Sequence, residues 1–281
     1  MRKITQKYCI INDEIISSDD INKNYITRGT SIYEVIRVID GIPLFFEEHI
    51  VRFSNSAKIV NLKLWLDENK IKEKIIQLIR INNVKNGNIK LVFNYFTQNH
   101  KLEKVFSTFF IQHHYPNEAE YKTGVPVMLF RAERNNPNAK IISVDFSKTT
   151  DEIIKKNKVY EVILVDNDGN ITEGSKSNIF MINKNNVYTS ISKDILPGIT
   201  RKYVIKICKD LGLNIIEKKI SAIDIMNLDA TFITGTSPKI LPICKIDDVN
   251  YAFENIYLHK IILEYNRIIN NYINTKQCIF T

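Results

Sequence analysis

Between Tyr160 and Arg201 the chain reads YEVILVDNDGNITEGSKSNIFMINKNNVYTSISKDILPGITR, and its residue types could do chemistry at two points. Glu173 and Gly174 close one β-rich run, and Ser175, Ser177 and Asn178 precede the next, so a carboxylate and several small hydrogen-bonding groups gather at strand ends. Further on, Leu196-Pro197-Gly198-Ile199-Thr200-Arg201 opens a helix with apolar Val204, Ile207 and Leu211, and Gly212 stops it. Backbone N–H groups in such a loop approach an anion closely at the helix N-terminus. An ordinary antiparallel sheet with polar turns would explain either motif alone. A carboxylate near an anion cradle is a cofactor-shaped pairing.

ITEGSKSNIF followed by LPGITR resembles the signature of the class IV (fold type IV) pyridoxal-phosphate enzymes, the family of branched-chain and D-amino-acid aminotransferases and aminodeoxychorismate lyase. Upstream, GTSIYEVIRV and EEHIVRFSNSA resemble the family's first-domain signature, and matching stretches run from about Gly29 to about Asp247. The resemblance implies an α+β chain of fold type IV. It would have a small N-terminal α/β domain over residues 1–117, an interdomain linker and active-site loop over 118–139, and a larger C-terminal pyridoxal-phosphate-binding α/β domain with a barrel-like sheet over 140–281.

Pyridoxal 5'-phosphate needs a lysine for its Schiff base, a carboxylate that keeps its ring nitrogen protonated, and anion contacts for its phosphate. In a lysine-rich chain no rule built from residues alone selects the first of these, and Lys140 and Lys148 are both candidates. Lys148-Thr149 mimics the Lys-Thr of many relatives but stands at the start of a helix. Lys140 ends a strand-loop element 21 positions before Glu161, the interval typical of relatives, and is favoured. The resemblance further implies that Glu173 pairs with the pyridinium nitrogen, and that Arg52, the N–H groups of Ile199 and Thr200, and Thr236 hold the phosphate. Tyr33, Val35, Lys90, Tyr95 and Ser237 would line the substrate pocket, with His49 structural.

Four departures bear on the substrate. Asp145 stands where branched-chain enzymes carry a Tyr, Lys90 replaces their Arg, and KLVFNYF lacks the Arg-Gly pair of the D-amino-acid and lyase branches. Val35 stands where lyases commonly carry a Thr, and valine can neither donate nor accept a hydrogen bond. The expected activity is therefore transfer of an amino group between an apolar or branched-chain amino acid and a 2-oxo acid. D-amino-acid transamination and pyruvate release from aminodeoxychorismate are the alternatives on the same cofactor, and a binding protein that keeps the fold is the alternative from another class.

The elements that must position these residues are legible in outline. Strands are expected around an Asn-Asp turn in YCIINDEII, from Thr30 to Val38, and in NIKLVFNYF and STFFIQHHY. Helices are expected from about Glu47, over LWLDENKIKEKIIQLIRINN, over SKTTDEIIKKNKV with a Ser or Thr N-cap, over AIDIMNL, and over the final segment from Tyr251. At 281 residues, 44% hydrophobic and 25% charged, the chain is that of a soluble two-domain protein. Its net charge of +8 comes from lysines scattered among acidic residues, so no nucleic-acid partner is expected. The four cysteines are far apart and form no C-x-x-C pair, and His113-His114 lacks a third ligand at suitable spacing, so no metal is expected. The N-terminus lacks the apolar core of a signal peptide, and no segment approaches ~18 apolar residues, which gives the expectation of cytoplasmic residence without a membrane partner. The family resemblance implies a homodimer.

Overall fold

The computed structural model describes residues 3–22, 24–252 and 254–280. The chain forms two compact units. One takes the chain up to His114, together with Ala139–Val144 and the end from Ile269; the other takes Tyr115–Asn138 and Asp145–Ile268.

The first unit is an antiparallel sheet covered by helices. It comprises β1 (Tyr8–Ile11), β2 (Glu14–Ser17), α1 (Asn24–Thr27), β3 (Thr30–Ile39), β4 (Ile42–Pro43), α2 (Phe46–Ile59), α3 (Glu68–Asn82), β5 (Gly87–Gln98) and β6 (Lys101–Ile111). The strand order is β2-β1-β6-β5-β3-β4. Phe46, Ile50, Phe53 and Ala57 of α2 and Ile71, Ile75 and Leu78 of α3 fall at helical spacing and pack on Ile32, Ile36, Val38, Ile89, Leu91 and Phe93 of the sheet. Strand side chains alternate between faces, so Tyr33 and Val35 point the other way and pack with Cys9, Val92 and Phe109. The β3–β5 register sets Val35 opposite Lys90 and Tyr33 opposite Val92.

The second unit is built on a mixed sheet. Its elements are α4 (Glu118–Thr123), β7 (Val125–Arg131), α5 (Val144–Asn157), β8 (Glu161–Val165), β9 (Asn170–Gly174), β10 (Asn178–Asn183), β11 (Asn186–Thr189), α6 (Ile199–Asp210), β12 (Asn214–Glu217), β13 (Ile220–Ser221), β14 (Ala230–Gly235), β15 (Lys239–Ile246) and β16 (Val249–Asn250), followed by α7 (Ile256–Phe280), whose last turns belong to the first unit. The order β12-β11-β10-β14-β15-β7-β8-β9-β13, with β16 on β15, curls into a barrel-like surface. The turn from Gly174 to Ser177 brings β9 beside β10, with the Gly174 N–H donating to Ser177 O at 2.8 Å.

The α+β character expected from the sequence is present, and several elements differ in extent. Residues 118–139 hold more than a connection, because α4 and β7 lie there and β7 is paired in parallel with both β15 and β8. The apolar run VPVMLF is thus an interior strand, the usual setting for a parallel strand. Helix α5 starts at Val144 rather than near Ser147, and α7 starts at Ile256 rather than Tyr251, where the buried Tyr251 ring donates its hydroxyl to Ile225 O instead. AIDIMNL is a 3-10 turn, Ala222–Asn227. Among the described residues no helix is long and apolar enough to cross a membrane.

Candidate active site

In the first unit Lys140 is held by its backbone on both sides. The Tyr33 N–H donates to Lys140 O at 2.9 Å, the Ile142 N–H donates to Ser31 O at 2.8 Å, and Ile141 bridges Ile32, so residues 140–142 run beside β3 as a short extra strand. The Lys140 N–H donates to Ser56 Oγ of α2 at 3.1 Å. Its ammonium group lies 4.8 Å from the Tyr33 ring centroid, and that of Lys90 lies 4.6 Å from the same centroid. The ring's negative face attracts each cation, which brings two like charges together at one tyrosine. Val35, directly opposite Lys90, completes this half-buried face.

Tyr95 is not part of that face. It stands an odd number of positions from Lys90 on an unbroken strand and points to the helix side, where it packs edge-on to Trp65 at 5.4 Å and donates its hydroxyl to Lys63 O at 2.8 Å. Burial pushes its pKa up to about 12.

Arg52, expected at the phosphate, has two of its donors committed within the unit. Nε donates to Glu34 Oε1 and Nη2 to Glu34 Oε2, each at 2.7 Å, and Glu34 Oε2 also lies 2.7 Å from His49 Nδ1. Glu34 has no exposed surface. Its burial by itself favours the neutral acid, but the Arg52 charge and hydrogen bonds outweigh this and, with His49, hold its carboxyl well below the usual range. Burial likewise pushes the His49 pKa down. A neutral imidazole facing a carboxylate that only accepts carries its proton on Nδ1. Glu34 was invisible as a partner in the sequence, since it is one polar residue in an alternating strand.

In the second unit Glu173, at the end of β9, is almost fully buried. Its Oε2 accepts from the Leu196 N–H at 3.0 Å and lies 3.5 Å from Asn178 Nδ2, while its Oε1 is 3.1 Å from Arg134 Nε. Arg134 also donates to Ser175 O and stacks 4.7 Å from the Phe146 ring centroid. Glu133, Arg134, Pro137, Leu164 and Glu173 are among the residues that line a cavity of about 180 Å³. The buried Glu161 carboxylate accepts from Ser175 Oγ at 2.7 Å, Lys176 N at 2.6 Å and Ser177 Oγ at 2.8 Å, which fixes the turn that carries Glu173. Sequence reasoning missed Arg134 and Glu161. The first lies in an irregular loop, and the second reads as one polar residue beginning an apolar strand.

Helix α6 begins at Ile199 with Gly198 as its N-cap, and among the described residues no side chain caps it. Ile199, Thr200 and Arg201 are buried there, and a buried helix start without a side-chain cap suits an anion. The Thr200 and Tyr265 hydroxyls are 3.1 Å apart. Thr236 and Ser237 occupy the turn between β14 and β15, Thr236 half-buried and Ser237 buried. Lys148 lies on an exposed position of α5. The second unit therefore brings Glu173 and the start of α6 together through Leu196, and the first brings Lys140, Tyr33, Val35 and Lys90 together.

Residues 31–246 match the model of the family described as amino-transferase class IV. The chain is similar to a D-alanine aminotransferase of Bacillus licheniformis, 28% identical over 235 residues that cover 81% of this chain and 83% of the relative. It is also similar to an aminodeoxychorismate lyase of Bacillus subtilis, 24% identical over 266 residues, 90% of this chain and 88% of the relative. Its fold is that of a branched-chain aminotransferase from the thermophilic archaeon Thermoproteus uzoniensis, solved with norvaline, with a TM-score of 0.83 at 22% identity over 96% of this chain and 98% of that one. A buried carboxylate tied to an uncapped helix start, a lysine fixed beside a strand and a family match over most of the sequence lead to one conclusion: the chain belongs to the class IV aminotransferases, a family of pyridoxal-phosphate enzymes.

Proposed function

We propose that this protein transfers an amino group between an apolar or branched-chain amino acid and a 2-oxo acid, with Lys140 as the residue that joins pyridoxal 5'-phosphate. The observation that carries the cofactor assignment is the direct tie from the Glu173 carboxylate to the Leu196 N–H, two residues before Gly198 caps α6. One loop thus supplies a carboxylate for a protonated ring nitrogen and a buried helix start for a phosphate, and the residues present fit the group. When bound, the cofactor supplies an electron sink for the charge left on the substrate's α-carbon.

The side chains then take these roles. Lys140 Nζ would take the proton from the substrate's α-carbon as the general base and pass it on to the bound cofactor in the first half of the cycle, and would carry a proton the opposite way in the second. Glu173 would hold a proton on the pyridine nitrogen. The N–H groups of Ile199 and Thr200, the Thr236 hydroxyl and Arg52 would bind the phosphate. Tyr33, Val35, Lys90 and Ser237 line the substrate site, and Lys90 provides a cation for a carboxylate. Val35 supports transamination over elimination, because a lyase would gain from a hydroxyl at that place and valine has none. D-amino acids rank second as donors, ahead of aminodeoxychorismate as a lyase substrate. A homodimer in the cytoplasm is the setting we infer, supported by the family resemblance and by four cysteines that are all free thiols.

The test is a screen of purified protein against L- and D-amino donors with 2-oxoglutarate or pyruvate as acceptor, and separately against aminodeoxychorismate. Keto-acid formation from apolar L-amino acids is expected. Pyruvate from aminodeoxychorismate, with no keto acid from any amino donor, would reverse the assignment.

A further inference from the structure

We infer that Asn178 is a positioning residue that locks the Glu173 carboxylate to the loop opening helix α6, and that residue 198 is glycine because the Asn178 amide occupies the space of its Cβ. The inference rests on the reading that the second unit binds pyridoxal phosphate, and it concerns residues to which that reading gives no role.

Asn178 is the first residue of β10, buried, and paired in register with Thr234 of β14, so its backbone belongs to the rigid sheet. Its Nδ2 donates to Leu196 O at 2.9 Å and lies 3.5 Å from Glu173 Oε2. The Leu196 N–H donates to the same Glu173 oxygen at 3.0 Å. Both polar groups of the Leu196 backbone are therefore engaged, the N–H by the carboxylate and the carbonyl by the amide. Shifting the loop would break both bonds together.

Gly198 adds an independent observation. Its backbone, φ −65° and ψ 138°, is extended and open to any residue, so conformational freedom is not what glycine supplies. A Cβ built there overlaps Asn178 Oδ1, with Asn178 Cγ at 3.2 Å and Arg201 Cβ at 3.3 Å as the next neighbours. The amide is thus seated under the residue that caps α6, and the N–H groups of Ile199 and Thr200 follow directly. Asn178 sets the position of the helix start relative to the carboxylate, that is, the distance between a phosphate and a ring nitrogen.

The test compares full-length apoprotein in its dissociation constants for pyridoxal 5'-phosphate and for pyridoxal, which lacks the phosphate. Loss of general stability or of the lysine linkage weakens both ligands alike and cancels in the ratio; displacement of the helix start does not. Asn178→Ala and Gly198→Ala are each expected to lower the preference for the phosphorylated ligand about tenfold, the effect of one buried carbonyl left without its donor. In the double variant the space is already empty, so adding Gly198→Ala to Asn178→Ala is expected to cost less than about threefold more, as for two changes that disrupt one contact. Should Asn178→Ala not fold, Asn178→Asp keeps the volume, turns the donor into an anion facing Leu196 O and Glu173, and is expected to lower the ratio as much. An unchanged ratio in the folded Asn178 variants, or a Gly198→Ala effect equal in both backgrounds, would overturn the inference. Wild-type protein that binds neither ligand, or binds both equally, would instead overturn the cofactor reading.

Discussion

The carboxylate of Glu34 grips the guanidinium of Arg52 at two points, Oε1 on Nε and Oε2 on Nη2, each at 2.7 Å, inside a core where Glu34 has no exposed surface. The fork holds the plane of the guanidinium and leaves its orientation little freedom, so Arg52 is prearranged by β3 before any ligand arrives. Replacing Glu34 with Ala strands a buried cation. We expect a loss of about 3–5 kcal/mol in urea unfolding, the range for breaking a buried pair by removing one partner. A loss below about 1 kcal/mol would mean that Arg52 does not depend on Glu34.

The same cluster makes the protein sensitive to acid. The His49 pKa lies below its ordinary 6.5 in the fold, so the unfolded chain binds more protons as pH falls from 6.5, and stability drops over that interval with a slope that approaches about 1.4 kcal/mol per pH unit. Glu34, also lowered, adds a second loss below its ordinary 4.5. Urea midpoints measured from pH 7.5 down to 4 should show both phases in the wild type. His49→Asn should remove the phase just below 6.5 and keep the lower one. Identical profiles would remove His49 from the account.

Tyr95 separates packing from substrate contact. Tyr95→Phe deletes the hydroxyl that serves Lys63 O and is expected to cost about 1 kcal/mol of stability. Because the ring points away from the Tyr33 face, KM for the amino donor should stay within about twofold of wild type, well under one hydrogen bond's worth of binding. A large rise in KM with unchanged stability would return Tyr95 to the substrate pocket.

The parity of this strand was legible. Tyr33 and Val35 share a face, whereas Lys90 and Tyr95 cannot on an uninterrupted β5, so alternation alone could have set Tyr95 aside. The hairpins from Glu161 to Thr189 and the start of α6 were also readable, because β-rich runs, an Asp-Gly turn and Pro-Gly punctuate them. The partners were not. Glu34 meets Arg52 only because α2 folds back on β3, Arg134 reaches Glu173 from an irregular loop, and the space under Gly198 is filled by a side chain twenty positions earlier in sequence. Such contacts are set by tertiary packing, for which local sequence carries no period. The start of α5 was misplaced for a related reason, since Ser147 and Thr149 suggest a cap where the helix is already under way.

Glu173→Gln preserves shape and removes charge. It should leave the cofactor bound while lowering kcat at least about a hundredfold, the scale for losing one preorganised electrostatic partner. The Leu196 N–H can still donate to the remaining carbonyl oxygen, while the ion pair with Arg134 is lost and the melting temperature falls with it. Unchanged kcat would take Glu173 out of the mechanism.

The most direct measurement concerns which lysine joins the cofactor. Purified protein loaded with pyridoxal phosphate, reduced with borohydride and mapped by mass spectrometry should carry a phosphopyridoxyl adduct on Lys140, and Lys140→Ala should lose both the adduct and the visible absorbance band. An adduct on the exposed Lys148, or one that persists in Lys140→Ala, would contradict the account.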